Sequence, residues 1–182
     1  MNNINNPYPY HVDTSMHNPN NMYRMCPYSY LCNQSTNYPH YPQQYIPLRD
    51  YGPEPFVVNI EEATKQNNCF RIALWTGRHL QLTLMSIGVG EDIGLEMHPD
   101  VDQFIRIEEG QGLVQMGERK DYLDYQTNVA DDFVILIPAG KWHNIVNTGN
   151  KPLKLYSIYA PPQHPYGTVH QTKEDAAEAH GL

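Results

Sequence analysis

The sequence is short of positive charge. It has 12 Lys and Arg against 20 Asp and Glu, a net charge of −8, and no basic run along its 182 residues. Neutralising a phosphate backbone takes clustered cations, so a nucleic-acid partner is not expected. Long apolar runs are missing too: none reaches the roughly 18 residues needed to cross a bilayer, so no membrane span is expected. The N-terminal "MNNINNPYPY" has neither a positive leader nor an apolar stretch, which speaks against a secretory signal. Cysteine is scarce: Cys26, Cys32 and Cys69 form an odd set without metal-motif spacing. No phosphate-cradling Gly-rich loop is present, and no nucleophile stands out beside a paired base. The expected setting is the cytoplasm.

Charge of either sign almost vanishes over residues 1–50, where Asp13, Arg24, Arg49 and Asp50 are the four charged side chains. The same span holds nine Asn, eight Tyr and seven Pro, in patches such as "PYPY", "PYSY" and "YPHY". Aliphatic surface there is too sparse to offset the entropy of ordering the chain, so a disordered tail is expected over residues 1–52. One folded domain follows over 53–182, its core beginning near Phe56. Cys26 and Cys32, in the tail, are placed to cross-link to other chains.

What the remainder does contain is a β rhythm. After a short helix in "NIEEATKQN", capped by Asn59 and favoured by Glu61 and Glu62 at its start, runs rich in β-branched and aromatic residues recur. They are "FRIALW", "HLQLTLMSI", "IGLEMH", "QFIRIEE", "GLVQMG", "DFVILIP", "WHNIVN" and "LKLYSIYA", set between Gly, Pro, Asn and Asp. Eight or so closely spaced strands without a long helix predict an all-β sandwich or barrel. A second short helix is expected from Thr172 in "TKEDAAEAH".

Two stretches carry chemistry. In "PAGKWHNIVN", Pro138 and Gly140 turn the chain, and His143, Ile145 and Asn147 then alternate onto one face of a strand. A histidine at the head of an inward face needs a partner, and a metal is one. In "GLEMHPDVDQFIRIEEGQG", Glu96, His98 and Gln103 precede a turn at Gly110. Together these resemble the two motifs of the cupin family, G-x5-H-x-H-x3/4-E-x6-G and G-x5-P-x-G-x2-H-x3-N. The second is matched at Pro138, Gly140, His143 and Asn147, with Asp132 at the leading glycine, a residue that tolerates left-handed backbone. The first is matched at Gly90, His98 and Gly110, with Glu96 at the first histidine position and Gln103 at the glutamate position. Gln103 is preferred to Asp102 because only it lands six residues before Gly110. Its strand parity also turns Ile105 and Ile107 inward and leaves Arg106 and Glu108 outside.

The resemblance implies a double-stranded β-helix, or jelly-roll, barrel of about residues 56–162, a homodimer, and a divalent metal ion (Fe, Mn, Ni, Co or Zn) held by Glu96, His98, Gln103 and His143. That set keeps the net charge of −1 of the family's usual three histidines and one glutamate, and it lacks the thiolates that copper(I) or iron–sulfur centres require. Glu96 is also the candidate catalytic base. Two readings stay open here. By alternation alone, Leu95 and Met97 would face the core and leave Glu96 and His98 in water. Gln103 would also serve by hydrogen-bonding Glu96 in a metal-free polar pocket. His79, Gln81 and Thr83 read as a solvated strand face, and His164 and His170 as residues of a surface loop. Function is expected to be metal-dependent chemistry on a small molecule, of the dioxygenase or sugar-isomerase kind. The alternative is a non-catalytic coat module, since the tail looks like the adhesive segments of bacterial spore-coat proteins.

Overall fold

The computed structural model describes residues 45–179, and the structural statements below concern those residues. The elements run α1 (Ile60–Gln66), β1 (Arg71–Thr76), β2 (Gln81–Ile87), β3 (Asp102–Glu109), β4 (Gln111–Gly117), β5 (Tyr125–Ala130), β6 (Val134–Ile137), β7 (Trp142–Asn147), β8 (Leu153–Ala160), β9 (Val169–His170) and α2 (Lys173–Ala179). The strands form two antiparallel sheets, one in the order β6-β3-β8-β2-β1-β9 and one in the order β5-β4-β7. Their facing sides enclose a core of Met85, Ile105, Ile107, Val114, Ile135, Ile145, Leu153 and Leu155, all nearly or fully buried. The expected all-β jelly roll is the observed architecture.

Local signals explain most of the elements. The Asn59 side chain accepts from the Glu62 backbone N–H, capping α1 as the sequence suggests. At the start of α2 the Thr172 hydroxyl accepts from the Asp175 N–H. Strand β7 alternates half-buried and buried residues, with His143, Ile145 and Asn147 all inside. Two strands escaped the sequence reading, β5 and the two-residue β9. Strand β5 exposes four consecutive residues, so it has no apolar alternation to betray it; its backbone pairing with β4 makes it a strand. Conversely "IGLEMH" is no regular strand. Gly94, at φ 90°, breaks the run, and the segment touches β7 through single bridges, Asp92 to Val146 and Glu96 to His143.

The outer face of the large sheet carries a second core. Ile72, Leu74 and Leu84 meet Ala63 of α1, and Ile46, Leu48, Tyr51 and Phe56 pack against them. The stretch 46–52 is therefore part of the packed domain rather than of the expected tail. Asp50 secures it: its carboxylate accepts from the backbone N–H groups of Gly52, Thr76 and Gly167 and from the Thr76 hydroxyl. The expectation of disorder over residues 1–44, and the cross-linking and coat role attached to them, fall outside the described residues. Covering this face also corrects the reading of Glu108. It is the extra residue of a bulge between Ile107 and Glu109, it lies only 3% exposed, and Glu61 and Lys65 of α1 are among its charged neighbours. Among the described residues no helix is long and apolar enough to cross a membrane.

Candidate metal centre

Backbone pairing brings the two chemistry-bearing stretches together. The Glu96 N–H donates to the His143 carbonyl at 3.0 Å, and the His143 N–H donates to the Glu96 carbonyl at 2.9 Å. Directly bridged residues of antiparallel segments point their side chains the same way. His98 follows two residues later on the same face, and its carbonyl accepts from the Gly140 N–H at 2.7 Å. Pro138 and Gly140, which turn the chain ahead of β7, thus also fix where His98 sits. Glu96 and His98 point into the barrel, while Leu95 stays 37% exposed. The alternation reading, with both polar residues in water, is overturned because the bridge to His143 sets the orientation, not the apolar neighbours.

The resulting cluster is tight. Glu96 Oε1 lies 3.4 Å from His98 Nε2 and 3.4 Å from His143 Nε2. The three donor atoms all lie within 4.8 Å of one another. Two donors that share one ion at bonds of about 2.1 Å are separated by about 3.0–3.4 Å, which matches both Glu96 distances. His143 Nδ1 sits 2.9 Å from the Lys141 carbonyl. A carbonyl can only accept, so Nδ1 carries the proton, and in the neutral ring the Nε2 lone pair faces the cluster. Backbone orientation of a ligating imidazole is how metal sites fix the tautomer.

Gln103 occupies the same interior. It lies on β3, 3% exposed, and pairs across the ladder with Tyr159, whose ring contacts the edge of His98 at 5.7 Å. Its amide N–H donates to the Ser157 hydroxyl at 2.9 Å, so the alternative reading, a bond from Gln103 to Glu96, is not what is observed. Asp102 is exposed and accepts from the Ala139 N–H, which agrees with the parity argument for Gln103. The decisive observation concerns what these groups lack. Glu96 Oε1, His98 Nε2, Gln103 Oε1 and His143 Nε2 are all buried, and none has a hydrogen-bond partner. Four buried acceptor or ligand atoms without a donor are costly unless something cationic joins them. The residues present fit a divalent ion.

Electrostatics point the same way. Burial alone would raise the Glu96 carboxyl. With a proton on Nε2, the His143 and His98 imidazoles, and then the Arg71 guanidinium, outweigh it and hold the group well below the usual carboxylate range, so that Nε2 protons and a metal ion are alternative partners for Glu96. Arg71 on β1 is 2% exposed, with Nη2 3.9 Å from Glu96 Oε2. It lies outside both motifs, and the sequence reading gave it no role. Gln81 and Thr83 were misjudged as well, for both are fully buried. Gln81 clasps the backbone of His164, accepting from its N–H and donating to its carbonyl, which also buries that histidine against the Tyr159 ring. His79 does remain exposed.

Comparison with known proteins agrees with this geometry. Residues 83–159 match the cupin domain model, a span that includes both motif histidines. The crystal structure of BH2720 from Bacillus halodurans has 70% sequence identity, covers 72% of this chain and 99% of its own, and superposes with a TM-score of 0.72. The chain belongs to the cupin family. Among curated proteins this cupin is 68% identical over 139 residues to the uncharacterized protein YrkC of Bacillus subtilis (strain 168), covering 76% of this chain and 75% of YrkC. It is also 45% identical over 115 residues to the uncharacterized protein L612 of Acanthamoeba polyphaga mimivirus, covering 63% of this chain and 70% of L612. None of these names specifies a reaction.

Proposed function

We propose that this cupin is a mononuclear metal enzyme acting on a small molecule, with Glu96, His98 and His143 as protein ligands and the Gln103 amide oxygen as a weaker fourth. The reading rests on one observation: each of the four residues the motifs align buries a side-chain ligand atom without a hydrogen-bond partner, and those of Glu96, His98 and His143 converge within 4.8 Å of one another. Two imidazoles and one carboxylate suit a borderline divalent ion and leave positions open to other ligands, the arrangement associated with non-haem iron oxygenases. Such an ion, when bound, supplies a Lewis-acid or oxygen-binding centre. The chain's own residues do the rest. The Lys141 carbonyl orients His143, Arg71 lies 3.9 Å from Glu96 Oε2, and Ile105 and Ile145, two residues along their strands from Gln103 and His143, continue the buried face.

Between the two reaction classes, dioxygenase-type chemistry fits better. An isomerase must move a proton, and Glu96 Oε1, 3.4 Å from both His98 Nε2 and His143 Nε2, is placed to bind the ion rather than to reach a substrate proton. Its role here is ligand rather than catalytic base. Elemental analysis of the purified protein tests the proposal: about one divalent ion per chain is expected, falling to near zero in a His98→Ala/His143→Ala double variant that still folds. Equal, negligible metal in both proteins would remove the reading.

A further inference from the structure

A cavity of about 380 Å³ opens beside the cluster, with Arg71, Glu96 and His98 among its lining residues. Its walls are mainly apolar, including Phe70 and Trp142, and Ala176 of α2 closes one side. This is the size and character of a small-molecule site: mostly apolar, with a few placed polar groups.

Arg71 is the anomaly within it. A guanidinium offers five N–H donors and stays charged. Yet among the described residues this one makes no side-chain hydrogen bond: its Nε is buried without an acceptor, its single ionic contact, to Glu96 Oε2, is 3.9 Å long, and its Cζ lies over the Phe70 ring at 5.6 Å. A buried charge so poorly satisfied is strongly unfavourable, and a planar two-oxygen acceptor is the group that matches its fork. The other cations at the cavity are otherwise engaged. Lys173 pairs with Asp92 at 2.7 Å, and Lys120 is exposed and lies over the Trp142 ring at 5.6 Å. One buried guanidinium without a hydrogen-bond acceptor, in a mainly apolar chamber, calls for one carboxylate on an apolar body.

We propose that the cavity binds a small monocarboxylate, its carboxylate on the Arg71 guanidinium and its apolar body against Phe70, Trp142 and Ala176. This deepens the function proposed above and rests on it for placing the bound molecule beside the metal ligands, but the recognition itself needs only Arg71 and the apolar walls.

The test is calorimetric titration of the full chain, both as purified and after chelation, with phenylacetate, its neutral isostere phenylacetamide, and acetate. Phenylacetate is expected to bind in both preparations, at least about tenfold more tightly than either comparator, because each lacks one of the two recognised features. In a folded Arg71→Gln variant the preference for phenylacetate over phenylacetamide should disappear. If that variant does not fold, the ratio of the two probes on the wild-type protein decides by itself. Equal binding of acid and amide, acetate as tight as phenylacetate, an acid preference that survives in folded Arg71→Gln, or no saturable binding up to about 10 mM would each overturn the proposal. Because chelated protein is titrated too, the carboxylate result stands apart from whether metal is found.

Discussion

At Gly110 the chain turns from β3 into β4 with φ at 102°, a region that side chains rarely enter. A Cβ there would also lie 3.1 Å from the Leu153 Cα and the Pro152 carbonyl oxygen. Gly110→Ala is therefore expected to cost about 2 kcal/mol, read as a lower midpoint in urea unfolding with an unchanged slope. Asp132 shows the milder version of the same problem. It holds φ at 70° where the family motif has glycine, and its carboxylate accepts from the Arg106 guanidinium at 2.6 Å. Gly110 was legible as a turn in the sequence itself and Asp132 through the cupin motif, because few residue types adopt such backbone. Arg71 was not: nothing in "FRIALW" distinguishes an arginine aimed into a barrel from one in water, and only the neighbouring strands decide.

At the scale of elements, α1 changes the chemistry of the strand beneath it. Burial pushes the Glu108 carboxyl up, and the Arg106 guanidinium at 3.3 Å only partly opposes this. A carboxyl whose folded pKa exceeds its unfolded value binds its proton more tightly when folded. Its ionised form then costs stability, a cost absent below the ordinary value of 4.5 and complete above the raised folded value. Glu108→Gln should accordingly be more stable than wild type at neutral pH, with the difference vanishing as pH falls below about 4.5. Thermal melts across pH 4 to 8, roughly, would show it; a variant less stable at neutral pH would mean that the Arg106 pair outweighs desolvation. The sequence placed Glu108 on the correct side of β3 but could not show that a helix covers that side.

For the whole molecule, the boundary of the folded unit is set by Asp50 and Tyr51 rather than by composition. The Tyr51 N–H donates to the Leu74 carbonyl at 2.9 Å, and its ring stacks on Phe56 at 4.1 Å. A chain that begins at residue 45 should keep these contacts, whereas one that begins at residue 53 loses them together with the charge-assisted bonds of Asp50. The shorter chain is expected to be less stable by about 3 kcal/mol or more, measured by urea unfolding of the two truncations side by side. Equal stability would show that the segment merely rests on the sheet. Composition misled here because residues 46–52 continue the Tyr- and Pro-bearing character of what precedes them while contributing Ile46, Leu48 and Tyr51 to the outer core.

Period-two alternation, turn residues and motif spacing determined the β architecture, both helices and the choice of Gln103 over Asp102. Those properties are local, so they survive in one dimension. Tertiary structure alone decided that Glu96 and His98 face inward, that Arg71 joins them, and that β5 is a strand. Each of these depends on a partner far along the chain, since a bridge to His143, a shared interior or a ladder to β4 exists only once the sheets have closed.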